Sequence, residues 1–442
     1  MRKVSDGHRL WLMSELPVLE QAGVLQPETS DRIKNYYASN TRGGLHWAVV
    51  AFAVLGALLI GSGIILLFAH NWDTFTRPTR AVLSVCPLAL GAALSAAAVL
   101  RNGGTAWREA AGLFHALAVG ASIALIGQTY HLPSDMPDFL LTWALLVLPL
   151  PFLLRAGGAS LVYLALACGW AFSAQDQYGQ AVAFWPLLLP GVVWLARLIR
   201  ADRQSAQTHV AFAGLMTALC VGTGAAFERT VPGLWIVAYS ALLSGAGLFG
   251  LCLYGERDGW NNIPKTFGVL GMAVLAYLFT WSEMWRGIGW EHLRHQAQYR
   301  PWGAWADGGV TLALLAGWAV AAVRAFRRDS AETVTLAAFP VLATACFAFG
   351  SLTASAESLN ALIFNAFLLG LGVMYIVLGC RNVKLRQLNG GMALVSLLLV
   401  TRFFDSHFDY LARGLVFIAL GAVFLTVNLV MARRKKQKEA AL

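Results

Sequence analysis

Between its charged residues this chain falls into about fourteen apolar runs, each long enough to cross a lipid bilayer. A helix rises about 1.5 Å per residue, so a hydrocarbon core of about 30 Å needs about 20 mainly apolar residues. On that scale the expected spans are 45–68, 78–100, 109–127, 139–154, 158–174, 181–200, 209–227, 234–254, 267–285, 304–326, 333–350, 359–380, 388–403 and 411–432. Inside lipid every backbone polar group must be bonded within its own segment, so the runs are read as helices. The expected fold is therefore an all-α integral membrane protein, a bundle of about 14 transmembrane helices. With 58% hydrophobic and only 13% charged residues, the 442-residue chain has too little polar surface for a water-soluble globule.

Loop charge tests this reading separately. With the amino terminus in the cytoplasm, 25 of the 33 Lys and Arg fall in or beside cytoplasmic segments and 8 on the other side. That asymmetry is what the positive-inside rule requires, and a single missed span would erase it. The expected location is a bacterial plasma (inner) membrane with both termini cytoplasmic. The net charge of +10 points to anionic lipid at the cytoplasmic face, most clearly at the tail Arg433-Arg434-Lys435-Lys436, and away from nucleic acid.

Four regions follow. Residues 1–42 read as a cytoplasmic helical hairpin, with Leu10, Trp11, Leu16 and Leu19 on one stripe and Gly23 as a helix stop. Its second helix opens at Pro27-Glu28 and carries Ile33, Tyr36 and Tyr37. An N-terminal membrane region spans 43–155, the remaining bundle 156–432, and a basic tail 433–442. Polar residues precede the first span, so no cleavable signal is expected. All six cysteines lie in spans and act as small apolar residues, with no disulfide frame or zinc spacing.

A charge at bilayer depth costs about 2.5–3.5 kcal/mol on insertion scales, so the polar residues in or beside spans are the candidates for function. The first outer loop holds His70, Asn71 and Asp73, with Trp72 as an interfacial anchor. The third span carries Glu109, His115 and Ser122 and ends in Gln128-Thr129-Tyr130-His131. Gly112, His115, Val119, Ser122, Ile126 and Thr129 recur at three or four residues and share one face. That stripe either lets helices pack closely or borders a wet cavity in which His115 and Glu109 could relay protons. The last outer loop adds Arg402, Asp405 and Arg413. If these loops converge, His70, Asn71, Asp73, Gln128, Tyr130, His131, Arg402, Asp405 and Arg413 form an outer cluster that could hold a small-molecule substrate. Glu291-His-Leu-Arg-His295 offers two metal ligands on an interfacial segment, where histidines are usually solvated; no metal and no cofactor is expected. Pro149, Pro151, Pro186 and Pro190 interrupt the fourth and sixth spans, as in helices that line transporter sites.

The segment from Gly61-Ser-Gly-Ile-Ile-Leu-Leu-Phe-Ala-His-Asn-Trp to Asp73 resembles a signature of prokaryotic membrane proteins grouped as domain of unknown function 2157. So do Glu109, Gly127-Gln-Thr-Tyr-His131, Trp143 and the prolines that follow. The resemblance covers about the first 155 residues and implies an integral membrane protein without an established activity. Three function classes stay open: a carrier or flippase for a small or amphiphilic substrate; a non-transporting sensor or structural protein; and an enzyme acting on lipid-linked groups through Asp73, Asp405 or His131. The last lacks the large loops that would house a catalytic site.

Overall fold

The computed structural model describes residues 6–39, 72–133, 135–227, 231–255, 257, 259–286, 288, 301–326, 330–353, 356–405, 418, 421, 422, 424–430 and 433. Every regular element among them is helical. By its contacts the chain divides into two units, Met1–Arg80 and Ala81–Leu442. The expected first span, most of the fourteenth and the basic tail lie outside the described residues.

In the first unit, helices Asp6–Gln21 and Pro27–Ser39 follow one another across a short turn. Gly23 closes the first helix at φ +71°, and the Val24 N–H reaches back to the Leu19 carbonyl at 3.0 Å, the bond pattern of a glycine stop. Leu16 is buried, whereas the Lys34 pairs with Glu20 and Asp31 are exposed and hold little energy. Trp72 is 8% exposed, so it is packed away from solvent and does not act as the surface anchor expected of it.

Among the described residues ten helices have the length and composition to cross a membrane. They are Arg77–Leu100, Thr105–Tyr130, Met136–Leu154, Gly157–Tyr178, Phe184–Ala201, Ala206–Ala226, Leu234–Tyr254, Trp305–Ala325, Ala331–Leu352 and Ala356–Asn382. They coincide with ten of the expected spans. Large apolar side chains stand exposed along them, including Leu100, Leu312, Val323 and Leu352, a surface of the kind that lipid covers. The expected ninth span is shorter than read: a helix over Ile263–Leu278, then a 3-10 turn at Ser282–Trp285. Its start moves earlier because Asn262 caps it and Pro264 fills the first turn, where no N–H is needed. The fourth span is broken at Leu148 by Pro149, which removes a helical donor. The expected thirteenth span is the helix Leu385–Asp405. All six cysteines are free.

Two apolar cores hold the second unit. One joins the helices between residues 77 and 226 around Tyr163, Trp170, Phe184 and Phe212. The other joins those between 234 and 405 around Phe279, Trp285, Phe339 and Phe364. Helix Leu234–Tyr254 is the most enclosed, with 67% of its central stretch buried against 22% for Arg77–Leu100. It crosses the 263–278 helix backbone to backbone, since a Cβ on Gly268 would lie 2.3 Å from the Gly247 nitrogen.

Bonds between turns sort the helix ends into two sets. Glu109 accepts from Gly157, Gly158 and Gln207; the Tyr254 hydroxyl donates to the Arg203 carbonyl; Lys265 pairs with Glu332, which Gln387 also reaches. At the opposite ends of their helices, Tyr178 donates to Asp138, Arg286 pairs with Glu357, and Arg402 binds Asn365 and the Thr280 carbonyl. Both the 263–278 segment and the 385–405 helix have one end in each set. No bond in either set joins ends that an alternating chain would separate.

Candidate functional site

A buried ion pair lies where three turns of the carboxy-terminal core meet. The Asn262 side chain donates to the Gly250 and Gly255 carbonyls, while its carbonyl oxygen accepts from the Lys265 N–H. This cap fixes the first turn of the 263–278 helix and turns Lys265 inward, where it is 4% exposed. Its Nζ lies 2.7 Å from Glu332 Oε2. Glu332 sits in the first turn of the 331–352 helix, behind the Ser330 cap, where the helix dipole favours a carboxylate. The Gln387 amide approaches Glu332 Oε1 at 3.4 Å, and its own oxygen is buried without a partner among the described residues.

Beside this network opens a cavity of about 410 Å³, within the range of about 300–1,000 Å³ usual for small-molecule sites. Its polar end is formed by Lys265, Thr266, Glu332, Arg386 and Gln387, its long walls by Val269, Leu270, Ala273, Gly390, Ala393 and Leu394. The wall positions recur every three to five residues on two helices, so each helix offers one stripe. Gly259, at φ +65°, admits the Arg386 guanidinium: a Cβ there would meet Arg386 Nη1 at 2.7 Å. Among the described residues Arg386 makes no ion pair, and Leu270 on the groove's flank is 64% exposed. The arrangement is an amphipathic groove: cations at one end, hydrocarbon along the rest, open at the side.

The third-span residues lie at helix-to-helix contacts. Glu109 reaches the Gly157 and Gly158 N–H groups at 2.8 Å each and so caps the 157–178 helix, the most favourable place for its charge. His115 Nδ1 bonds Ser95 Oγ at 3.0 Å, where Gly91 lets the two helices touch. Glu109 and His115 thus have different partners. Gly112 faces Ala156, Gly120 faces the Trp143 ring, and the indole donates to the Ala116 carbonyl at 2.7 Å. Ser122 is buried and its hydroxyl has no partner among the described residues.

Of the expected outer cluster, His70, Asn71 and Arg413 lie outside the described residues, as do the side chains of Asp73 and Asp405. Gln128, Tyr130 and His131 share one exposed helix end. His131 is its left-handed cap residue, and its Nδ1 donates to the Gln128 carbonyl at 2.9 Å. Arg402 meets Asn365 at 3.0 Å, the Thr280 carbonyl and the Trp281 ring 4.7 Å away. The Glu291–His295 stretch also lies outside the described residues. Lys265, Glu332 and Arg386 were missed because sequence reading counts them as loop charges, and Gln387 because it reads as a neutral loop residue. The signal that could have found them was the Asn262 cap with Pro264, which draws Lys265 inside its helix.

No curated protein and no solved structure matches this chain. Residues 18–160, from the hairpin through the first four expected spans, match the model of the family of domain of unknown function 2157, described as a predicted membrane protein.

Proposed function

We propose that this chain is a multi-pass carrier or flippase for a small or amphiphilic substrate in a bacterial plasma membrane. It crosses the bilayer about fourteen times with both termini cytoplasmic. The single observation that carries the transport reading is the amphipathic groove that ends at the buried Lys265–Glu332 pair with the exposed Arg386 beside it, since a buried ion pair next to a side-opening cavity is characteristic of substrate paths. Alternation of the helix ends supports the crossing count. The 263–278 and 385–405 helices, each bonded at both ends, add two crossings to the ten apolar helices, and 45–68 and 411–432 complete the fourteen. The positive-inside count puts the groove on the cytoplasmic side.

The test is movement of a fluorescent amphiphile across proteoliposomes holding the full chain. The proposal expects movement above protein-free vesicles and its loss in Gly390→Leu, which fills the groove from a position with no atom within 4 Å of a new Cβ. Movement equal to that of empty vesicles ends the transport reading. A second reading, a sensor or structural protein, is favoured by the close fit around Gly91, Gly112 and Gly120, which leaves the His115 stripe in helix-to-helix contact. On that reading His115→Ala destabilises the protein; under the relay reading it abolishes movement in a folded protein.

A further inference from the structure

We infer that the groove takes a lipid with an anionic phosphate headgroup, entering sideways from the cytoplasmic leaflet; this names the substrate class of the site and rests on the carrier reading above.

The argument starts from charge. Lys265 and Glu332 neutralise each other at 2.7 Å, which leaves the exposed Arg386 guanidinium as the cation of the polar end that makes no ion pair among the described residues. A guanidinium presents a planar fork of donors that matches phosphate oxygens, and a basic recess between helices on the cytoplasmic side is where anionic headgroups bind. Shape continues the argument. From Lys265 to Ala273, and from Arg386 to Leu394, each wall runs eight residues, about 12 Å at the helical rise. Past the first turn these walls hold no charged side chain. A soluble anion would leave that surface unused, whereas an acyl chain covers it. The flank at Leu270 and the exposed Gly390 and Ala393 let the chain enter without crossing an aqueous mouth.

The experiment is native mass spectrometry of the full chain from detergent doped with phosphatidylglycerol, phosphatidylcholine or inorganic phosphate, with lipid movement measured on the same preparations. The inference expects phosphatidylglycerol to bind more tightly than phosphatidylcholine. Arg386→Gln should weaken it by about ten-fold, the worth of one charge-assisted contact, and leave phosphatidylcholine unchanged. Gly390→Leu should weaken both lipids, because it blocks the tail. Glu256→Gln with Asp258→Asn, which removes the acids preceding Gly259 in sequence, should tighten phosphatidylglycerol. Equal binding of the two lipids, Arg386→Gln without effect, or displacement of lipid by millimolar inorganic phosphate overturns the inference. Selective binding without movement across the bilayer sinks the carrier reading and leaves the lipid assignment standing; movement without headgroup preference does the reverse.

Discussion

Replacing Lys265 by methionine strands the Glu332 carboxylate, and the size of the loss separates two physical accounts of this pair. The side chains of Lys265 and Glu332 are 5% and 11% exposed, with 2.7 Å between the charged atoms. At an effective dielectric of 20 that separation is worth about 6 kcal/mol of attraction, against a desolvation cost of several kcal/mol for each ion. The intact pair is therefore close to neutral in net stability. Methionine keeps the bulk but removes the compensation, leaving Glu332 only the Gln387 amide at 3.4 Å. Breaking such a pair costs about 3–5 kcal/mol, whereas an ordinary interhelical hydrogen bond in a membrane is worth about 0.6 kcal/mol and about 1.7 at most. Unfolding of the purified protein in mixed micelles, followed by helical circular dichroism, should give a loss of at least 3 kcal/mol for Lys265→Met, within that about 3–5 range. Glu332→Leu should lose about as much, and the double variant should recover about 2 kcal/mol or more of the sum, as contacting charges do. Additive losses, or a single-variant loss below about 1.5 kcal/mol, refute the view that these charges are sealed from water.

Other outcomes are expected from separate parts of the fold. Glu109→Gln keeps the shape but removes the charge from two charge-assisted caps, and should cost about 1–2 kcal/mol in the same unfolding measurement. Gly268→Ala drives a methyl into the Gly247 backbone and should cost about 1–3 kcal/mol; a neutral result would mean the two helices do not touch there. Arg402→Lys loses the planar stack on Trp281 and the bond to Asn365, and should blue-shift or brighten tryptophan emission while leaving helix content intact.

Apolar periodicity made the spans legible because each is a local pattern: ten long runs read from the sequence are ten long helices. The Pro149 break and the Gly23 stop were readable for the same reason, since proline and glycine act on their own backbone. Partners far apart in sequence were not. Glu109 stood out as a polar residue in a span, but its role depends on two N–H groups 48 and 49 residues later. The small face of the third span was visible, while Ser95 opposite His115 was not, because serine is unremarked in any apolar helix. At the groove, a charge count treats Lys265, Glu332 and Arg386 as solvated loop residues. Caps at Asn262 and Ser330 pull the first two inside their helices by one turn, and a tertiary close approach at Gly259 seats the third. Arg402 stood out in the sequence as an unusual charge, while Thr280, Trp281 and Asn365, which it meets, lie 37 to 122 residues away along the chain.

The claim beneath all of this is that successive helices cross a bilayer in opposite directions, with the Lys265 groove and the Arg402 cluster at opposite faces. Single cysteines at Gln204, Arg257 and Asn382, and at Tyr178, Arg286 and Glu357, in a chain whose six native cysteines are replaced by alanine or serine, test it by labelling in sealed vesicles. The account predicts that an impermeant maleimide added outside right-side-out vesicles reaches only Tyr178, Arg286 and Glu357, and the other three only after lysis. Labelling of both sets from the same side would contradict it.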